Sequence, residues 1–228
     1  MARLLVITSY VQNFHNYRDG IDEQIYRILR PQFSVIEETQ EFGSLSYEDL
    51  RAFDCVMLFC AATWTVTGKD PFAVNLTKYL ITGGRILLLH IVSLGKFTEG
   101  SQLFGGAFRM HPPYQAYSFV PSESGKAFMD GAESFTICDE AHLLFTERLL
   151  SKDVLLYAVN NDHRKYDNGV NPHQDIYAQS SGIHIPLSWR VRFCKGKMIY
   201  ACPGHNAESF ANEVYTGYLR NCAKWLLD

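Results

Sequence analysis

No CxxC pair occurs anywhere in this 228-residue chain. Its six cysteines, Cys55, Cys60, Cys138, Cys194, Cys202 and Cys222, are dispersed and mostly sit inside apolar runs. Zinc ribbons and disulfide frameworks need closer spacing, so these thiols read as small buried hydrophobes in a reducing compartment. Lysine and arginine clusters are also missing and the net charge is −3, which argues against nucleic acid as the main partner. No apolar run approaches the roughly 18 residues of a membrane-spanning helix. The first apolar stretch, Leu4 to Ile7, is too short for a signal peptide, and no small-residue cleavage site precedes Tyr10. No membrane association is expected, and the cytoplasm is the expected location. Neither the GxGxxG fingerprint nor a P-loop is present, so nothing supports dinucleotide or nucleotide-triphosphate binding. Repeats and low-complexity linkers are absent too. One domain over residues 1–228 is expected.

What the chain does have is an ordinary globular composition, 47% hydrophobic and 20% charged, and a clear alternation of strand and helix patterns. Leu4 to Thr8 is an apolar strand. Asp19 is placed to cap a helix with Ile21, Ile25, Ile28 and Leu29 on one face. Phe33 to Ile36 reads as a second strand, Ser46 and Asp49 have capping-box spacing, and Cys55 to Cys60 is a third strand. Asp70-Pro71 opens a helix that Gly83-Gly84 terminates, and Ile86 to Leu89 then delivers His90. These strands show no polar alternation, as expected of a parallel sheet covered on both faces, whose ligand crevice lies beyond the carboxyl ends. Tyr114–Val120 and Ser134–Cys138 look like added strands, Val154–Val159 returns to a core-like apolar strand, and residues 160–184 form a long polar segment. Lys197–Cys202 is the last strand, leading through Pro203-Gly204-His205 to a closing helix.

The residues able to do chemistry gather at strand ends. His90, His111 and His205 end strands or sit in glycine- or proline-bounded turns, and Asp139-Glu140 ends another strand-like run. Neutral imidazoles with a carboxylate suit a divalent metal such as zinc, with a position left for water or substrate. Without metal, the same set could perform general acid–base work, or each histidine could simply cap a turn. In the first βα loop, Asn13, His15, Asn16 and Tyr17 are placed for ligand contacts, His15 and Tyr17 being the substrate-binding candidates. Trp64 and Trp189 could stack on a sugar ring or seal the crevice rim. His142 is a partner of the acidic pair or a surface residue.

The order Gly83-Gly84…His90, Gly105-Gly106-Ala107-Phe108, His111-Pro112, Asp139-Glu140, Trp189 before Lys195-Gly196-Lys197, and Gly204-His205 before a helix carrying Trp225 resembles the trehalose-utilisation (ThuA-like) family across nearly the whole chain. The resemblance implies an α/β fold, a flavodoxin-like three-layer sandwich with a mainly parallel central sheet, related to the class I glutamine amidotransferases. It also implies a link to disaccharide or keto-sugar metabolism. One departure stands out: Lys126 to Gly131 occupies the place where family members commonly carry a His-Pro-Ile segment.

A glutaminase needs a cysteine on the elbow after the fourth strand. His90-Ile91-Val92-Ser93-Leu94-Gly95 has none, so that activity is not expected. The leading expectation is an enzyme acting on a small sugar-like molecule. His90, His111 and His205 would be metal ligands, with Asp139, Glu140 and His205 sharing the catalytic work. One rival is a thiol enzyme using Cys60 with His205, and another is a non-catalytic ligand- or partner-binding protein. The strand Tyr114–Val120 or the long polar segment is expected to contribute to a homodimer.

Overall fold

The computed structural model describes residues 2–9, 15–60, 69–90, 105–111, 114–145, 152–159 and 184–228. Five apolar strands form one half of a nine-stranded sheet: β1 (Ala2–Thr8), β2 (Phe33–Thr39), β3 (Cys55–Phe59), β4 (Arg85–Leu89) and β11 (Gly196–Ala201). They lie in the order β2-β1-β3-β4-β11, and every neighbouring pair is parallel. All five residues of β3 are buried, as are the last four of β4, so both sheet faces are covered.

The covering helices follow from local signals. α1 (Ile21–Leu29) buries the predicted isoleucines, but its N-cap is Gly20 in the left-handed conformation rather than Asp19. α2 (Tyr47–Arg51) starts with the Ser46/Asp49 capping box. α3 (Pro71–Ile81) has proline in its first turn, and Gly83 beyond its end has φ 118°. α4 (Glu213–Leu227) buries Tyr218, Cys222 and Leu226. The chain moves one way from β1 to β2 and the other way from β3 to β4, so right-handed crossovers put α1 and α3 on opposite faces.

The other half of the sheet is antiparallel. β10 (His184–Phe193), β9 (Asp153–Val159), β6 (Gln115–Pro121) and β7 (Phe135–Asp139) extend it beyond β11. The sheet is therefore mixed, which corrects the expectation of a mainly parallel one. β10 turns back into β11 through a two-residue turn, where Cys194 has φ 54°, so these two strands run antiparallel. β10 itself was not legible because Pro186 argues against a central strand. The ladder tolerates it at a register irregularity between Pro186 and Ser188. A separate ribbon pairs β5 (Ala107–Met110) with β8 (Leu143–Phe145). β6 is hydrogen-bonded on both sides, so it offers no free edge to a second copy. Most of the long polar segment, residues 160–183, lies outside the described residues.

One consequence of the antiparallel half positions the site. β7 is four strands from β11, about 19 Å in a flat sheet. Yet Asp139 at the end of β7 accepts a hydrogen bond from Gly204 N, just past β11, at 2.8 Å. The sheet twists and curls until the end of β7 closes over the carboxyl ends of the parallel strands.

Candidate functional site: a histidine cluster around Glu140

The parallel strands deliver the first imidazoles. His90 follows β4 with φ 48°, and its backbone N–H still donates to Ala201 O at 2.9 Å, which ties it to the end of β11. Its Nδ1 lies 2.7 Å from Cys202 O. A carbonyl oxygen can only accept, so Nδ1 carries the proton and Nε2 the lone pair. That Nε2 is buried and has no hydrogen-bond partner. His15, in the loop after β1, is held in a similar way, with Nδ1 3.4 Å from His205 O. The His15 ring stands edge-on to both His90 and His205, at centroid distances of 4.8 and 4.5 Å.

His205 is placed by a carboxylate it does not touch with its ring. Asp139, fully buried, accepts on Oδ2 from Gly204 N (2.8 Å), His205 N (3.3 Å) and Ser209 Oγ (2.6 Å). Its Oδ1 accepts from Glu140 N at 2.8 Å. Four donors thus converge on one side chain that pins the turn after β11. Gly204 belongs there for packing, since a Cβ at this position would sit 3.2 Å from the Cβ of His90.

Glu140 is the hub. One of its oxygens lies 3.3 Å from His205 Nδ1, 3.5 Å from His142 Nε2 and 3.8 Å from His90 Nε2; the other lies 3.6 Å from His111 Nδ1. The residue is 8% exposed. Burial raises its pKa, but the hydrogen bonds from His142 and His205 and the charges of His111 and His90 outweigh that and hold it well below the usual carboxylate range. Burial pushes His90 well below the ordinary imidazole value, helped by His142 and His15. It lowers His142 as well. His15 falls to about 4, through burial first and then His205. His205 goes the other way: burial lowers it, and Glu140 more than offsets that. Near neutral pH the site therefore holds an ionised carboxylate at Glu140 and neutral imidazoles at His15 and His90, while His205, beside Glu140, keeps a proton to higher pH than a free imidazole.

The ligand atoms of His15, His90, Glu140 and His205 all lie within 4.8 Å of one another. A second group, His90, His142 and Cys202, meets the same limit, but burial, then Asp139, hold the Cys202 thiol well above its ordinary pKa. Of the anticipated metal ligands, His90 and His205 fall in the first group. His111 approaches Glu140 from the other side, and Asp139 holds the backbone beneath His205.

The anticipated substrate contacts scatter. Tyr17 is 0% exposed, packed 5.7 Å from Phe59 in the core. Trp189, 1% exposed, lies inside the sheet with its ring 4.5 Å from Tyr200. Trp64 and the elbow from Ile91 to Gly95 lie outside the described residues, as does Asn13. The rival nucleophile Cys60 is buried, with its thiol 2.9 Å from Ser9 Oγ. Sequence reading left His142 open between a partner and a surface role. The available signal was its i+2 spacing from Glu140, which puts both side chains on one side of an extended segment.

The fold and site define an open α/β protein whose histidines and one glutamate meet at the carboxyl ends of parallel strands. The chain belongs to the trehalose-utilisation (ThuA) family, whose model matches residues 3–226. A ThuA-like protein from Bacteroides uniformis ATCC 8492 has the same fold, with a TM-score of 0.73 and 17% identity over 98% of this chain and 90% of that one. A ThuA-like protein from Parabacteroides merdae ATCC 43184 gives 0.70 at 15% identity, over 99% and 90%. A cytoplasmic protein from Salmonella typhimurium LT2 gives 0.66 at 11%, over 98% and 99%. No curated protein matches the sequence. No described helix is long and apolar enough to cross a membrane.

Proposed function

We propose that this ThuA-family chain is an enzyme of sugar or keto-sugar metabolism, with its reaction centre at His15, His90, Glu140 and His205. The observation that carries the reading is the convergence of those four ligand atoms within 4.8 Å, with His90 Nε2 buried and without a hydrogen-bond partner. An orphaned buried acceptor is costly, and a cation would satisfy it. The donor set, three imidazoles and one carboxylate, fits a divalent ion such as zinc, and the carbonyls that orient His90 and His15 are the usual outer supports of such ligands. When bound, the ion would supply Lewis acidity toward a carbonyl or hydroxyl of the sugar.

The remaining work falls to side chains of this chain. Glu140, an ionised carboxylate 3.3 Å from His205 Nδ1, supplies the negative charge that the surrounding imidazoles share. Glu140 raises the affinity of His205 for a proton, and entry of a cation would release a proton from its ligating nitrogen. His111, the most exposed of the imidazoles around Glu140, faces the hub from the solvent side. Asp139 is a positioning residue. We read the parallel half as flavodoxin-like, because its order β2-β1-β3-β4-β11, with β11 as the fifth parallel strand, places the crevice at the β1/β3 switch point, where the His15 loop begins. A sugar-like substrate follows from the family's description as trehalose utilisation. All six cysteines are free, which supports a reducing, cytoplasmic location.

The test is metal analysis of protein purified without an affinity tag, alongside its His205→Ala variant. One equivalent of divalent metal in the wild type, lost in a variant that keeps its circular dichroism spectrum, is the expected result. Wild-type protein that takes up no metal from zinc, manganese or cobalt solutions would overturn the reading.

A further inference from the structure

We infer that Tyr114, held by Asn206, is the platform on which a pyranose ring lies when it enters the histidine cluster, an assignment that rests on the proposed centre at His205. Tyr114 is a large side chain left 39% exposed. Its ring centroid is 4.9 Å from that of His205, tilted by 45°. An exposed tyrosine ordinarily has freedom about its side-chain torsions, but this one is tied at its far end. Its hydroxyl accepts from Asn206 Nδ2 at 3.1 Å. Asn206 is itself fixed, because its Oδ1 accepts from Ser209 N at 3.2 Å and caps the short 3₁₀ turn Ala207–Ala211. Ser209 in turn donates to Asp139 at 2.6 Å. Tyr114 and His205 are therefore fastened to one framework, and the separation between aromatic face and imidazole is set by it.

That arrangement selects a class of ligand. A flat apolar surface beside a cluster of polar donors and acceptors suits a molecule with one apolar face and a polar rim. A pyranose ring has that division, with axial C–H bonds on a face and hydroxyls around the edge. Lying against Tyr114, it would direct edge hydroxyls or a ring carbonyl toward His205 and Glu140. A purely anionic or fully aliphatic ligand would use only one of the two surfaces.

The experiment compares wild type, Tyr114→Phe and Tyr114→Ala for binding of trehalose, maltose and glucose by saturation-transfer NMR and calorimetry. Metal content and melting temperature are measured in parallel. The alanine variant should weaken sugar binding about five- to tenfold, the scale of one aromatic face, with metal content and melting unchanged. The phenylalanine variant, which keeps the ring and loses the tie to Asn206, should lose less than about threefold. Equal sugar affinity in wild type and the alanine variant overturns the inference. So does metal-loaded wild-type protein that binds none of the three sugars, an outcome that leaves the metal centre standing. Sugar binding that depends on Tyr114 in protein that takes up no metal from zinc, manganese or cobalt solutions supports the platform and removes the metal centre.

Discussion

Asp139→Asn separates a positioning role from a catalytic one. The substitution keeps the shape of the side chain and removes its charge. With the new carbonyl in the place of Oδ2, the donors Gly204 N, His205 N and Ser209 Oγ all keep an acceptor. The amide nitrogen then faces Glu140 N across 2.8 Å, donor against donor. The opposite orientation strands three donors and is worse. One unmatched buried contact costs about 1–3 kcal/mol, and for a chain of this size each kcal/mol lowers the melting temperature by about 2–4 °C. Asp139→Ala strands all four donors and should cost at least about twice as much. The charge adds a pH signature. Burial, opposed by those hydrogen bonds, pushes Asp139 up from 3.8 to about 6. Between those values the folded protein binds the proton more readily than the unfolded chain. This contribution to stability is fully present below about 4 and lost as pH rises through 6, about 3 kcal/mol in all. The assay is denaturant unfolding of chelator-treated wild type and Asp139→Asn from pH 4.5 to 8. The wild type should gain on the variant as pH falls through 6, while the variant retains metal within about tenfold of wild-type affinity, the lower bound for loss of an outer support. An Asp139→Asn protein with unchanged stability at every pH and no metal binding would refute the positioning argument.

Glu140→Gln removes the negative hub, so the His205 titration followed by NMR in the chelated protein should move to lower pH, and metal retention should fall by more than tenfold; an unmoved midpoint would show that Glu140 does not hold the His205 proton. Chelation should lower the melting temperature, and zinc at about 100 times its dissociation constant should restore about 2.7 kcal/mol, a change that differential scanning calorimetry reads directly. Trp189→Ala should destabilise the fold by about 3–5 kcal/mol, because this ring is buried in the sheet against Tyr200. A stable Trp189→Ala protein defective only in sugar binding would return Trp189 to the substrate site.

The chain's own pattern specified the parallel half. Continuous apolar runs ending at Thr8, Cys60 and His90, a capping box at Ser46 and Asp49, and glycines after α3 are local signals, and each produced the element it specifies. His90 and His205 could be sent to one end of the sheet from sequence because parallel strands share a carboxyl end. What only the tertiary structure decided is the company those histidines keep. Glu140 reaches them because an antiparallel half, including a strand disguised by Pro186, curls the end of β7 back over β11. Curl is a sum of small twists over many residues and leaves no mark at any one of them. The same holds for Asp139, Tyr17 and Trp189. Whether a carboxylate feeds backbone donors or faces substrate, and whether an aromatic ring lines a crevice or fills a core, depends on neighbours remote in the chain, which residue type and spacing do not encode.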